Sequence, residues 1–333
     1  MFIISNYPIA VLFCFITMLC WGSWANTQKM VQSRWRFELF YWDYVIGMFI
    51  LSLLAAFTMG SIGDEGRSFI NDLNQMSFKS FRNAIAGGVI FNLANILLTA
   101  AIAGAGMAVA FPVGIGLALI IGVVINYMLL SKGNPVLLFT GAALVALAII
   151  FNALAYKNHS AGGGKKNIGK WLIVSVLAGV LMSTFYPFVA SSMDLENFVA
   201  PAAGKMTPYS AFVIFSLGVL LSNLLFNTIL MRRPLEGTPI RYKDYFSGKG
   251  VHWAGLLGGG IWGVGNLFNL IAAGKAGPAI SYGLGQGATL VAALWGVFIW
   301  KEFKNGSKVT NGMLLFMFIL FISGLGLIIY AGE

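Results

Sequence analysis

Residues 87–95 read Gly-Gly-Val-Ile-Phe-Asn-Leu-Ala-Asn, and residues 258–266 read Gly-Gly-Gly-Ile-Trp-Gly-Val-Gly-Asn. The similarity continues through Ala105-Gly106-Met107-Ala108 and Gly114-Ile115-Gly116 in the first block, and through Ala276-Gly277-Pro278-Ala279 and Gly285-Gln286-Gly287 in the second. Laid over one another without a gap, the blocks share about ten identities in about thirty-three positions, Asn95 with Asn266 among them. Internal similarity over such a length marks a duplicated structural unit. Each block holds two apolar runs joined by a Gly/Ala turn, the pattern of paired membrane helices. Duplicated bundles of this kind belong to transporters.

Composition agrees. The 333 residues are 58% hydrophobic and 10% charged, with a mean hydropathy of +0.82, whereas soluble domains are nearer a quarter charged. The net charge of +10 would suit a nucleic-acid binder in a soluble protein. Here the Lys and Arg residues sit in short segments between apolar runs, where they orient a chain in a bilayer, and no nucleic-acid partner is expected. Cys14 and Cys20, six residues apart on one apparent helix, would hold their Cα atoms about 9 Å apart, too far for a disulfide. The N-terminus lacks the basic segment of a cleavable signal, so the first apolar run reads as a retained helix.

Ten apolar runs are long enough to cross about 30 Å of hydrocarbon: 7–27, 41–60, 81–102, 107–130, 134–156, 170–190, 208–231, 251–273, 277–300 and 311–331. The stretch 158–169, with Gly162-Gly163-Gly164-Lys165-Lys166, is the most linker-like, and divides the chain into a first repeat, 1–157, and a second, 170–333. The fold class read from this is all-α integral membrane, a five-plus-five repeat. Basic residues gather after the first, fifth, seventh and ninth runs: Lys29, Arg34 and Arg36; Lys157, Lys165 and Lys166; Arg232, Arg233, Arg241, Lys243 and Lys249; Lys301, Lys304 and Lys308. The positive-inside rule then predicts a multi-pass plasma (inner) membrane protein with both termini extracytoplasmic and the linker in the cytoplasm. With an odd number of helices per half, the repeats are inverted. Trp35, Trp42, Trp171, Trp253 and Trp300 fall at predicted helix ends, as an interfacial belt would place them.

Inside the runs amides outnumber ionised residues. Asn92, Asn95 and Thr99 share one face of the third helix, Trp262, Asn266 and Asn269 one face of the eighth, and Tyr282, Gln286 and Thr289 one face of the ninth. Such groups must find partners in lipid, either one another or a polar ligand in a wet cavity, and both readings stand. Asn223 and Asn227 share a face of the seventh. Trp21 and Trp24 lie one turn apart with Gly22 beside them, so an indole could stack on a planar heterocycle or a sugar face, or pack only. Tyr186, before Pro187, holds a comparable place in the sixth helix.

Asp43 is the acid with two readings. If the second helix starts there, it is an ordinary N-terminal carboxylate. If the helix starts within 39–42, the side chain is carried about 6 Å inward, where it could hold a proton or cation. Glu38 is expected among the headgroups and Lys275 in a turn, reaching to the surface. Enzyme chemistry finds no footing. His159 and His252 lie far apart in sequence with no metal-binding or nucleophile–base pattern, and Gly164-Lys165 lacks the spacing of a phosphate loop. No cofactor is expected beyond a proton or sodium gradient. Asn158-His159-Ser160 and Asn305-Gly306-Ser307 match glycosylation sequons on segments placed inside.

Ten helices in an inverted five-plus-five repeat resemble the drug/metabolite transporter superfamily. Within it, Trp42-Asp43-Tyr44 leading to Ala56-Phe57-Thr58-Met59-Gly60-Ser61-Ile62-Gly63 is similar to the second helix of the ureide permeases. The resemblance continues through Phe69-Ile70-Asn71-Asp72-Leu73-Asn74-Gln75, Ala86-Gly87-Gly88 with Asn92 and Asn95, and Asn126-Tyr127, and is looser in the second half. The Trp21-Gly22 region also resembles glucose/ribose porters. The resemblance implies uptake of a neutral nitrogen-rich heterocycle such as allantoin, uracil or xanthine, coupled to a cation, usually a proton. The longer linker of plant members, with its phosphate-loop-like segment, is missing, which implies a bacterial-type member whose substrate could be a sugar instead. The expectation is a secondary transporter, monomer or weak homodimer. Trp21, Asn92, Asn95, Tyr186, Trp262, Asn266, Asn269, Tyr282 and Gln286 are its candidate substrate contacts and Asp43 its coupling residue. The open alternatives are a monosaccharide porter, a drug/metabolite exporter and a non-transporting scaffold.

Overall fold

The computed structural model describes residues 1–63, 65–160, 168–248 and 251–332. Ten helices are long and apolar enough to cross a bilayer: α1 (Tyr7–Val31), α2 (Phe37–Phe57), α3 (Phe78–Ala105), α4 (Met107–Leu129), α5 (Pro135–His159), α6 (Ile168–Ser192), α7 (Pro208–Arg232), α8 (His252–Ala276), α9 (Pro278–Ile299) and α10 (Lys308–Tyr330). No strand occurs among the described residues. The chain is an all-α integral membrane protein. Side chains at the helix starts satisfy backbone N–H groups that lipid cannot: Asn6 accepts from Ile9, Ser77 from Ser80, Thr207 from Ser210 and Ser307 from Thr310. Proline stands in the first turn of α7 and of α9, where its missing donor costs nothing.

Several helices start earlier or run further than the hydropathy alone predicts. α1 continues beyond Thr27 to Val31, turning at Trp24 between the segments Tyr7–Ser23 and Ala25–Val31. α2 begins at Phe37, so Asp43 lies six residues in, about 9 Å along the axis, and is 2% exposed. Glu38, expected among headgroups, is buried and paired with Arg36. Lys275, expected in a turn, lies in the last turn of α8. Of the expected aromatic belt, Trp35, Trp42 and Trp171 are buried, while Trp253 is exposed. Trp42 is covered because its indole N–H reaches Met231 Sδ of α7 (3.3 Å) and its ring lies against Tyr242. Residues 161–167 of the expected linker lie outside the described residues.

The register found in the sequence is written again in the packing. Gly106 joins α3 to α4 with φ 96° and ψ 165°, and Gly277 joins α8 to α9 with φ 81° and ψ 159°, a left-handed corner that a side chain would strain. A Cβ on Gly88 of α3 would fall 2.1 Å from the Phe215 carbonyl oxygen of α7, and one on Gly259 of α8 would fall 1.9 Å from the Tyr44 carbonyl oxygen of α2. Both members of this second pair lie 171 positions from their counterparts (88 to 259, 44 to 215), the spacing that also separates Gly106 from Gly277. Thus α3 packs on α7 as α8 packs on α2, backbone against backbone, which is how small residues hold helices together in lipid. Gly259→Val would force these backbones apart, and overpacking of this kind costs about 1–3 kcal/mol. The expected result is a lowered thermal midpoint in detergent, with Gly260→Ala, where no atom lies within 4 Å, as the silent control.

The two ends of the bundle are distinct. At the terminal face, where the first and last described residues lie, the Tyr7 hydroxyl donates to the Ile329 carbonyl (2.7 Å). There the loop after α2 is buckled to the loop before α7. The buried Asp72 carboxylate accepts from Arg67 Nε (3.0 Å) and the Thr207 N–H (2.7 Å), and Arg67 also donates to the carbonyls of Pro201 (3.1 Å) and Lys205 (2.7 Å). At the opposite end, the linker face, Glu302 pairs with Lys29 of α1 and accepts from the Ala108 N–H at the start of α4 (2.8 Å). Beside it Trp300 Nε1 donates to Asn26 (2.6 Å), and Trp295 Nε1 to Ser23 (2.9 Å).

Candidate functional site

Between these two closures, α1, α3, α4, α6, α8 and α9 enclose a cavity lined by six aromatic rings, Trp21, Trp24, Phe91, Phe111, Phe185 and Trp262. Asn95 and Gln286 supply polar groups, and Leu98, Ile115, Met182 and Ala288 complete the wall. The free space is about 20 Å³, room for about one water. The rings fill the rest. Trp21 and Trp262 stack with centroids 5.5 Å apart and planes 8° from parallel, and Phe91 lies 4.4 Å from Trp262. Phe91 and Trp262 lie 171 positions apart, the spacing that also separates Gly88 from Gly259, and one aromatic from each half of the chain meets the other at the centre. Gly265 permits this closeness, since a Cβ there would fall 2.8 Å from the Trp21 ring. Trp21 Nε1 also donates to the Trp262 carbonyl (3.2 Å).

Four of the nine expected substrate contacts therefore meet in the cavity: Trp21, Asn95, Trp262 and Gln286. Asn95 Nδ2 donates to the Tyr41 hydroxyl (3.4 Å). Gln286 stands where α9 is interrupted, just before Gly287, and irregular backbone in a membrane bundle is tolerated where it borders a cavity. The other five do not line it. Asn92 Nδ2 donates to Ser222 Oγ of α7 (2.9 Å), an interhelical bond. Tyr186, Asn269 and Tyr282 form a polar seam on the terminal side of the rings. In it Tyr186 bonds Ser281 Oγ (3.1 Å), Asn269 donates to the Ser281 carbonyl (2.7 Å) and Tyr282 to the Met182 carbonyl (2.9 Å). Asn266 is buried, with no partner for Nδ2. The sequence raises Trp24 as a stacking indole but not as a substrate contact, and reading for amides missed three of the rings, Phe91, Phe111 and Phe185. The sequence did carry one signal for them, because Phe91 and Phe111 are in register with Trp262 and Tyr282.

Asp43 is not alone. Its Oδ1 accepts from the Tyr245 hydroxyl (2.6 Å) and lies 2.9 Å from His252 Nδ1, which is 3.0 Å from Oδ2. Tyr245 comes from the short helix Tyr242–Phe246 and His252 from the first position of α8, so both hydrogen-bond partners named for this first-half carboxylate come from the second half. Trp35 stacks edge-on against His252 (5.1 Å) and closes the cluster. Gly255 lets α8 pass close enough, since a Cβ there would fall 2.3 Å from Asp43 Cβ. Burial first, then the adjacent carboxylate, push the pKa of the Tyr245 hydroxyl up, so it stays protonated and donates. The His252 side chain remains 32% exposed, giving the buried acid a path to water. Among the described residues no group of three or more His, Cys, Asp or Glu side chains could hold a metal.

One ten-helix bundle thus holds an aromatic cavity and a buried acid, Asp43, bonded by Tyr245 and His252. The family model described as ureide permease matches residues 40–170 and 163–331. The chain belongs to the ureide permease family. Ureide permease 1 of Arabidopsis thaliana is 24% identical over 97% of this chain and 96% of its own length. A probable ureide permease of Vigna unguiculata is 23% identical over 90% and 97%. A putative sugar uptake protein of Streptococcus pyogenes is 22% identical over 73% and 78%. One solved protein structure shares the fold with a TM-score of 0.61 at 18% identity, covering 97% of this chain and 96% of that one. As a ureide permease family member the chain is a multi-pass membrane transporter, not an enzyme.

Proposed function

We propose that this ureide permease family member is a secondary transporter importing a small, neutral, flat, hydrogen-bonding solute, a ureide, oxopurine or oxopyrimidine such as allantoin, xanthine or uracil, with one proton. The observation that carries the reading is the cavity itself: six aromatic faces, two amides and no fixed charge. That lining suits a planar uncharged ring and disfavours an ion. The family relationship supports the solute class. In this reading the two halves are inverted and rock about the stacked Trp21 and Trp262, so the closed cavity is an occluded stage between two open ones. The positive-inside rule puts the linker face in the cytoplasm and both termini outside, in the plasma membrane.

Asp43 is the coupling group, and His252 its route to water. When Asp43 is ionised, His252 donates through Nδ1, leaving Nε2 to take up one proton; the resulting imidazolium then faces the carboxylate. Asp43 and its partners Tyr245 and His252 come from opposite halves, so rocking of the halves would make and break the cluster. Proton occupancy and halves' position are thereby linked.

The relatives in the sugar uptake group favour one second reading, a monosaccharide porter using the same rings as a sugar platform. Thermal-shift screening of the purified protein separates the two. Allantoin, uracil or xanthine is expected to raise the midpoint, because a ligand bound only by the folded state stabilises it. A shift with glucose, ribose or rhamnose alone would replace the substrate assignment.

A further inference from the structure

On the linker-face side of the aromatic cavity lies a second, larger space of about 250 Å³, walled by Gln28, Gln32, Trp35, Arg36, Trp171 and Glu236 among others. It follows the same two helices as the first. On α1, Trp24 lines the inner cavity and Gln28, one turn on, the outer; on α3, Leu98 lines the inner and Gly104 the outer. The two are therefore about 6–9 Å apart along the helix axes. Gln28 stands between them. It is 1% exposed, and its Nε2 donates to the Thr99 carbonyl (3.0 Å), while its Oε1, buried in the cavity wall, has no hydrogen-bond partner. A buried acceptor left unpaired costs about 1–3 kcal/mol; Oε1 has no surface open to the space in this state, so a ligand N–H recovers that cost once the Gln28 side chain turns towards it.

The rest of the wall selects what that ligand can be. Gly104 lets the Trp171 ring lie against α3, since a Cβ there would fall 2.1 Å from it, and Trp35 offers a second buried indole. Arg36 is neutralised by Glu38 and further held by the carbonyls of Thr238 (2.6 Å) and Glu236 (3.0 Å), so its charge is already engaged and an anion gains little. The geometry points to a second ligand site, a vestibule for a neutral solute with an amide or ureido N–H, which it hands to or takes from the inner cavity past Gln28. The assignment rests on the substrate reading above, because the probe is drawn from it.

Equilibrium binding of radiolabelled allantoin to the purified protein in lipid nanodiscs tests it. The wild type is expected to bind two molecules per chain. Gln28→Leu, and separately Gln32→Leu, are expected to lose one, and Trp262→Ala the other. Gln32 is exposed, so its variant decides the matter should Gln28→Leu fail to fold. One molecule per wild-type chain, or two still bound by both glutamine variants, overturns the vestibule alone. No binding by the wild type overturns the substrate reading and the vestibule with it.

Discussion

Asp43→Asn is expected to abolish uphill accumulation of the transported solute while leaving solute exchange across the membrane intact. One proton moving with the solute down a potential of 100 mV supplies about 2.3 kcal/mol, enough for about 50-fold accumulation. The amide keeps the shape of the carboxylate and can still accept from Tyr245 at 2.6 Å, so the bundle should survive, but it cannot pair with an imidazolium. Accumulation in proteoliposomes should therefore fall from tens of fold to about onefold, with exchange rates within a small factor of wild type. His252→Gln should share the loss. Undiminished uphill uptake by Asp43→Asn would end the coupling assignment.

Trp262→Ala carries the second large effect. Its ring stacks on Trp21 and touches Phe91 and Phe215, so it is the surface common to both halves of the cavity. Stacking of a flat heterocycle on an aromatic side chain is worth about 1–3 kcal/mol by alanine substitution, which converts to about 5- to 150-fold in affinity. The dissociation constant for the solute identified by thermal shift should rise by that factor, measured by equilibrium binding. Trp253→Ala, an exposed indole at the start of the same helix, should leave it unchanged. Removing the ring also opens space in a tightly packed centre, so the thermal midpoint of the empty protein should fall as well.

Much of the architecture was legible because lipid leaves few choices: apolar runs of sufficient length must be helices. The duplicated glycines then mark where helices touch. Helix ends were harder. Gln28 and Lys29 read as the start of a polar loop, yet α1 continues through them because Gln28 meets Thr99 and Lys29 meets Glu302. Those partners lie up to hundreds of residues away in sequence, and no local pattern announces them. The same distance hid His252 and Tyr245 from Asp43. Burial of Trp35, Trp42 and Trp171 was equally out of reach, because an indole near a helix end looks the same facing lipid as facing the short helix Tyr242–Phe246, where Trp35 and Trp42 lie, or facing Gly104 of α3, where Trp171 lies. Amides in the apolar runs were found, but not whether each would face the cavity. Asn92 and Asn95 are less than one turn apart on α3, yet one bonds Ser222 on α7 and the other borders the rings.

Counterflow asks most directly whether the ring-lined cavity is the transport site. Proteoliposomes are loaded with unlabelled allantoin and diluted into a trace of labelled allantoin at equal pH and zero potential. The wild type and Asp43→Asn should both show a transient overshoot of label inside, and Trp262→Ala should show little or none. An overshoot undiminished in Trp262→Ala, beside normal wild-type flux, would place the solute's path elsewhere in the protein.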